Sequence, residues 1–139
     1  MGLHQSGPMR RLALFLLFVV PAVASAQQWT SVGKTREGTE IFVKSASIKR
    51  GGDTVIVDIL ARYIPANYIV SGRDTTRAVT THSIFDCSKE KVKVMETATF
   101  SNFDRNKVIN RRKPQVPGYQ AVFGGSMPQV YAHVCPKKK

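Results

Sequence analysis

The residues best able to do chemistry in this 139-residue chain are two cysteines, Cys87 and Cys135, with His82, His133 and Asp86. A thiol can act as a nucleophile, ligate a metal or close a disulfide. Zinc needs about four ligands, and beyond residue 26 only His82 and His133 could join the cysteines. No C-x-x-C or H-x-x-x-H spacing is present, so neither a metal site nor a dithiol redox centre is expected. His82 and Asp86 share one face of a strand but stand four residues apart, too far to touch, and His133 lies off the apolar face of a helix. A basic chain with two histidines and several lysines holds the groups of a small ribonuclease: an acid, a base and a cation for phosphate. Nothing in the spacing fixes their mutual geometry, so both histidines read as surface residues and no catalytic residue is assigned. Ser126, in "GGSMP", lacks the G-x-S-x-G of a nucleophile elbow, and "FGGS" lacks the preceding strand of a phosphate loop.

What the cysteines do depends on compartment. The chain opens with Arg10-Arg11, an apolar run from Leu12 to Val20, and Ala24-Ser25-Ala26. This is the pattern of a secretory signal over 1–26, cut after Ala26 so that the mature chain starts at Gln27. The run is short for a membrane span and no positive stop-transfer cluster follows, so no transmembrane segment is expected after cleavage. Met9 serves as a start as well as Met1. The cleavage region holds no cysteine to acylate, so the expected location is the periplasm, the medium or the cell surface without a lipid anchor. In an oxidising compartment two cysteines most simply form one disulfide, Cys87–Cys135.

The formal charge is +12; losing Arg10 and Arg11 with the signal takes away 2 and leaves +10. Lys107, Arg111, Arg112 and Lys113 crowd into "KVINRRKPQVPGY", beside Pro114 and Pro117. Lys49-Arg50, Arg73, Arg77 and Lys137–Lys139 add to them. Such charge keeps an exported protein soluble, or forms a face for an acidic glycan, lipopolysaccharide or an acidic protein. Nucleic acid is not expected in that compartment, and no cofactor is implied.

The elements that must position these residues are mostly strands in one domain, 27–139. In "TVIVDILARY", Val55, Val57, Ile59, Ala61 and Tyr63 share one face, with Asp58 and Arg62 on the other. In "KVKVMETATF", Val92, Val94, Ala98 and Phe100 alternate with polar residues. "EIFVK" (40–44), "THSIFDC" (81–87), "WTSVGK" (29–34) and "NKVIN" (106–110) complete about six strands, joined by turn sequences such as "REGT", "RGGD" and "CSKE". Short connections imply antiparallel neighbours. "SMPQVYAHVC" predicts a helix: Ser126 as N-cap, Gln129 closing a capping box, Pro128 in the first turn, and Met127, Val130, Tyr131, Val134 and Cys135 on one face. Cys87 shares a face with Phe85, so a disulfide pins this helix across the sheet. Such cover is expected to account for Ile56 and Leu60, apolar on the second face of their strand.

These residues resemble the surface-adhesin protein E family of Gram-negative bacteria. The likeness lies in Trp29 with Val32-Gly33, then "IFVKSASIKRGGD", then "VIVDILARY", then "FDCSKEKVKV", and a terminal "MPQVYAHVC". It departs at Asp58, where the family often has Trp, and at Phe42 and Lys44, where it often has Tyr and Asp. The resemblance implies a mainly β (α+β) fold: a single antiparallel sheet of about six strands with a C-terminal helix tethered by a disulfide. It also implies a non-catalytic binding module for host matrix or serum proteins. A soluble periplasmic interaction protein without a host role is the alternative, and a small basic hydrolase stands behind both. No family binding residue maps onto a motif of this chain.

Overall fold

The computed structural model describes Gly2 and residues 28–114 and 117–136. The signal expected over 1–26 (apart from Gly2), with its cleavage residues Ala24, Ala26 and Gln27, lies outside these residues, as does the tail Lys137–Lys139.

Residues alternating between apolar and polar form long strands at the centre of an antiparallel sheet. In chain order the elements are β1 (Trp29–Lys34), β2 (Glu40–Lys44), β3 (Lys49–Gly51), β4 (Thr54–Arg62), β5 (Ile69–Ser71), β6 (Asp74–Thr76), β7 (Ala78–Asp86), β8 (Lys91–Phe100), β9 (Val108–Arg112), β10 (Gln120–Ala121) and α1 (Met127–Val134). The main sheet runs β1-β2-β4-β7-β8-β10, with β3 also on β4 and β9 also on β8, while β5 and β6 form a separate hairpin. The main sheet therefore has eight strands rather than about six. The added ones, β3 and β10, span three and two residues, too short to carry a period. β9 begins two residues later than "NKVIN" suggests. The loop before it closes with Ser101 N–H donating to the Lys107 carbonyl (3.0 Å) and Lys107 N–H to Asn102 Oδ1 (3.2 Å), which removes Asn106 and Lys107 from the strand.

Pairing fixes the two faces. β4 and β7 match from Thr54↔Asp86 to Arg62↔Ala78, so Val55, Val57 and Ile59 share a face with Phe85. Ile41, Val43, Val92, Val130, Val134 and Cys135 bury themselves on that same face. α1 covers it, with the Tyr131 ring 6.3 Å from that of Phe85 and the Tyr131 hydroxyl donating to the Cys87 carbonyl at 2.8 Å. The Cys87–Cys135 disulfide forms, with Cα atoms 5.5 Å apart across 48 residues of sequence.

The helix starts differently from the sequence expectation. Ser126 is itself helical (φ −89°, ψ −12°) and makes no side-chain cap, so the capping box with Gln129 does not form. Gly124 and Gly125, at φ 65° and 56°, turn the chain directly into the first helical turn. Its other end is closed by Cys135 N–H donating to the Tyr131 carbonyl (2.9 Å) and by Arg50, whose guanidinium donates to the Val134 carbonyl. A cation there also suits the helix dipole.

Leu60 is buried on the opposite face, and the helix does not cover it. A second cluster does: Leu60, Ala78, Ala98 and Phe100, with Trp29, Phe42 and Phe103 packed against them. The cover comes from β1, β2 and the loop between β8 and β9. Its residues are remote in sequence from β4, so no local periodicity announced it.

One buried hydroxyl has no partner among the described residues. Ser83 is fully buried opposite Val57, and its Oγ makes no hydrogen bond to any of them. Desolvating a hydroxyl without a replacement bond is unfavourable. Ser83→Ala should raise the unfolding free energy by about 1 kcal/mol. A urea midpoint shifted upward with an unchanged m value is the expected reading; a lower midpoint would mean that the hydroxyl is satisfied.

Candidate functional site: the open face of the sheet

The face opposite α1 carries the polar half of each strand's alternation. The register sets Asp58 of β4 beside His82 of β7, and His82 beside Glu96 of β8. Asp58 Oδ1 lies 2.5 Å from His82 Nδ1. Arg111 of β9 donates to Glu96 Oε1 at 3.3 Å. A row of polar and charged side chains, Asp58, His82, Glu96 and Arg111, therefore crosses four strands. It lines a shallow cleft of about 290 Å³ with Trp29, Lys44 and Thr80. The bulge between His82 and Ser83 falls beside this row, where Met95 is the extra residue on β8.

The Asp58–His82 pair escaped the sequence reading, which set His82 against Asp86. Asp86 serves the β7–β8 turn instead. Its Oδ1 accepts from Ser88 N–H (3.1 Å), the Ser88 hydroxyl (2.8 Å) and Lys89 N–H (3.1 Å). The Ser88 hydroxyl, followed by the Lys89 N–H, holds its carboxyl below the ordinary value of 3.8. The one clue to the pair was the shared strand face of Asp58 and Arg62; the partner required the β4–β7 register. His133 is exposed on α1, on the other side of the sheet from His82. The two histidines are not brought together, and the acid–base pair of a ribonuclease does not assemble from them. Among the described residues no three His, Cys, Asp or Glu side chains converge as a metal site.

The four clustered cations are divided. Arg111 points into the open face. Arg112, one residue on, points to the helix side, where it lines a second cleft with Phe123 and Met127. Lys107 stands before β9 and Lys113 after it, so the four form an edge row rather than a single patch. A five-residue strand separates its ends by roughly 17 Å. All four are exposed. Arg112 and Lys113 make no ion pair among the described residues, whereas Arg111 shares its charge with Glu96. Two further cations are committed within the fold: Arg50 to the helix end, and Arg77 over the Tyr68 ring at 5.3 Å.

Compared with known families, residues 29–135 match Surface-adhesin protein E. The chain belongs to this family. The match runs from β1 to the second half-cystine, so both faces of the sheet lie within it. Among solved structures, the selenomethionine form of Haemophilus influenzae protein E is similar at a TM-score of 0.53 and 13% identity, covering 76% of this chain and 84% of that one. Crystal form II of Haemophilus influenzae protein E gives a TM-score of 0.48 at 13% identity, over 68% of this chain and 79% of that one. At this identity the likeness establishes the fold: an antiparallel sheet with a C-terminal helix. No curated protein matches the chain. Among the described residues no helix is long and apolar enough to cross a membrane.

Proposed function

We propose that this adhesin-family protein is an exported, non-catalytic binding module that engages an acidic partner through the edge of β9. The observation that supports this is the row of Lys107, Arg111, Arg112 and Lys113. Among the described residues the cations sit along a strand with no further strand on its outer side, and three of them, Lys107, Arg112 and Lys113, lack an ion pair. Arginines pair in bidentate fashion with carboxylate, sulfate and phosphate, so host matrix proteins, acidic glycans and lipopolysaccharide are all suitable partners. Pro114, next to this row, restricts the chain and reduces the ordering cost of contact. The periplasm, the medium and the cell surface are all consistent with export; cell fractionation distinguishes a host-facing module from a periplasmic one.

Two measurements test this. Export with cleavage after Ala26 predicts an intact mass for a chain starting at Gln27 and carrying no acyl group; retained leader residues or a lipid mass refute it. The binding test compares the wild type with Arg111→Ala/Arg112→Ala on immobilised heparin, lipopolysaccharide and matrix protein across a salt series. The double variant should elute at lower salt, and the difference should shrink as salt screens beyond a Debye length of about 8 Å. Equal retention at every salt concentration would reduce the edge to a solubility device.

A further inference from the structure

At the end of the open face nearest the β8–β9 loop, two arginines are held against aromatic rings without an anion between them. Arg62, the last residue of β4, places its guanidinium carbon 4.7 Å from the Phe103 ring centre and 5.8 Å from that of Phe42. Arg105 lies 5.2 Å from the Trp29 ring centre, and its Nη1 donates to the Phe103 carbonyl at 3.0 Å. Arg105 reaches this position from a left-handed backbone conformation, φ 58°, which disfavours a side chain. Arg62 Nε and Trp29 Nε1 are both shut off from solvent and have no hydrogen-bond partner among the described residues. Burial first, and the charge of Arg62 second, push the Arg105 guanidinium below its ordinary value, against a smaller opposing pull from Asp104.

Two like charges, unpaired donors and a strained backbone are each unfavourable. No carboxylate of this chain forms an ion pair with either arginine, although Asp104 borders the same cleft and partly offsets the charge on Arg105. All nine carboxylates lie among the described residues. Glu40 stands opposite Arg62 in the β2–β4 register without pairing with it. The arginines border a cleft of about 350 Å³ with Trp29, Phe42, Leu60 and Phe103. Contact with the aromatic rings holds the guanidinium groups in place, and the terminal N–H groups beyond the Arg105–Phe103 bond remain for a ligand.

We propose that Arg62 and Arg105 form an oxyanion-binding site, which takes a carboxylate, sulfate or phosphate group into the cleft beside Trp29. This site does not depend on the β9 edge, and Arg112 takes no part in it. The oxyanion comes either from a free inorganic ion or from a group on an acidic saccharide, and the arms of the test separate the two.

Trp29 is the one tryptophan of the chain and borders this cleft as well as the neighbouring one at Asp58 and His82, so its emission reports binding on this part of the open face and the arginine variants assign it to the cleft. The experiment titrates sodium sulfate, phosphate, acetate and a sulfated heparin disaccharide, each against sodium chloride at matched ionic strength. It uses the wild type, R62Q, R105Q and, as a control, R36Q, at an exposed turn residue outside both sites. The wild type should show a saturable change that chloride does not give. R62Q and R105Q should bind about tenfold more weakly or worse, and R36Q as the wild type does. Saturation by the disaccharide alone supports a saccharide-borne group; saturation by the simple ions supports the oxyanion itself. Without ligand, R105Q should melt no lower than the wild type, because the repulsion with Arg62 is gone. If R62Q does not fold, R62K takes its place, keeping the charge but losing the fork. The proposal is overturned if every titrant behaves as chloride does, or if the Arg62 and Arg105 variants bind as tightly as the wild type.

Discussion

Cys135→Ser should lower the unfolding free energy by about 4 kcal/mol, the loop-closure entropy for the 48-residue separation between the half-cystines. For a domain of this size the melting temperature should fall by roughly 15–20 °C. Cys87→Ser, or reduction of the native protein, should give the same result, since each releases the same constraint. The loss should concentrate at α1. That helix has eight residues, too few to be stable alone, and it meets the sheet through Val130, Val134, Tyr131 and the disulfide. Amide exchange in 127–135 should accelerate more than in β4 and β7, which the central pairing protects. Titration of denatured, unreduced protein should find no free thiol. Two free thiols per chain, or an unchanged melting temperature in Cys135→Ser, would show that packing alone holds the helix.

Phe85→Ala is the second large expected effect, a loss of about 3–5 kcal/mol. Phe85 is fully buried beneath the helix, opposite Val55 on β4 and Val92 on β8, with its ring against Tyr131. Truncation leaves a cavity lined by two rigid strands and a helix held by a disulfide, which have little freedom to close on it. Phe85→Leu keeps most of the volume and should cost markedly less. Chemical denaturation of both variants, with the disulfide intact, checks the order. Equal losses would mean that the ring contact with Tyr131, rather than the filled volume, carries the stability. Because Phe85 faces away from His82 and Arg62, folded Phe85→Leu should keep the anion response at Trp29.

The sequence by itself determined the long strands, the helix and the disulfide partners. Alternation in "TVIVDILARY" and "KVKVMETATF" is a local property that follows from the two-residue period of a strand, so β4 and β8 could be read without knowing their neighbours. The spacing of Val130 and Val134 defined the buried stripe of α1 in the same way. With two cysteines in the chain, the pairing had one intramolecular solution. The tertiary structure decided everything that depends on register and on contact between distant segments. Asp58 meets His82 because β4 and β7 align residue for residue, and a slip of one position would turn one of them into the core. Arg111 and Arg112 part to opposite faces because the pleat assigns alternate residues to alternate sides. The strands β3 and β10 exist because β4 and β8 offer edges to pair with; their own residues carry too few positions for a period. The Arg62–Arg105 cluster joins β1, β2, β4 and the loop before β9, segments up to 76 positions apart between Trp29 and Arg105. No local pattern encodes it, because the attraction between a guanidinium and an aromatic ring acts through space and depends only on where the folded chain places the two groups.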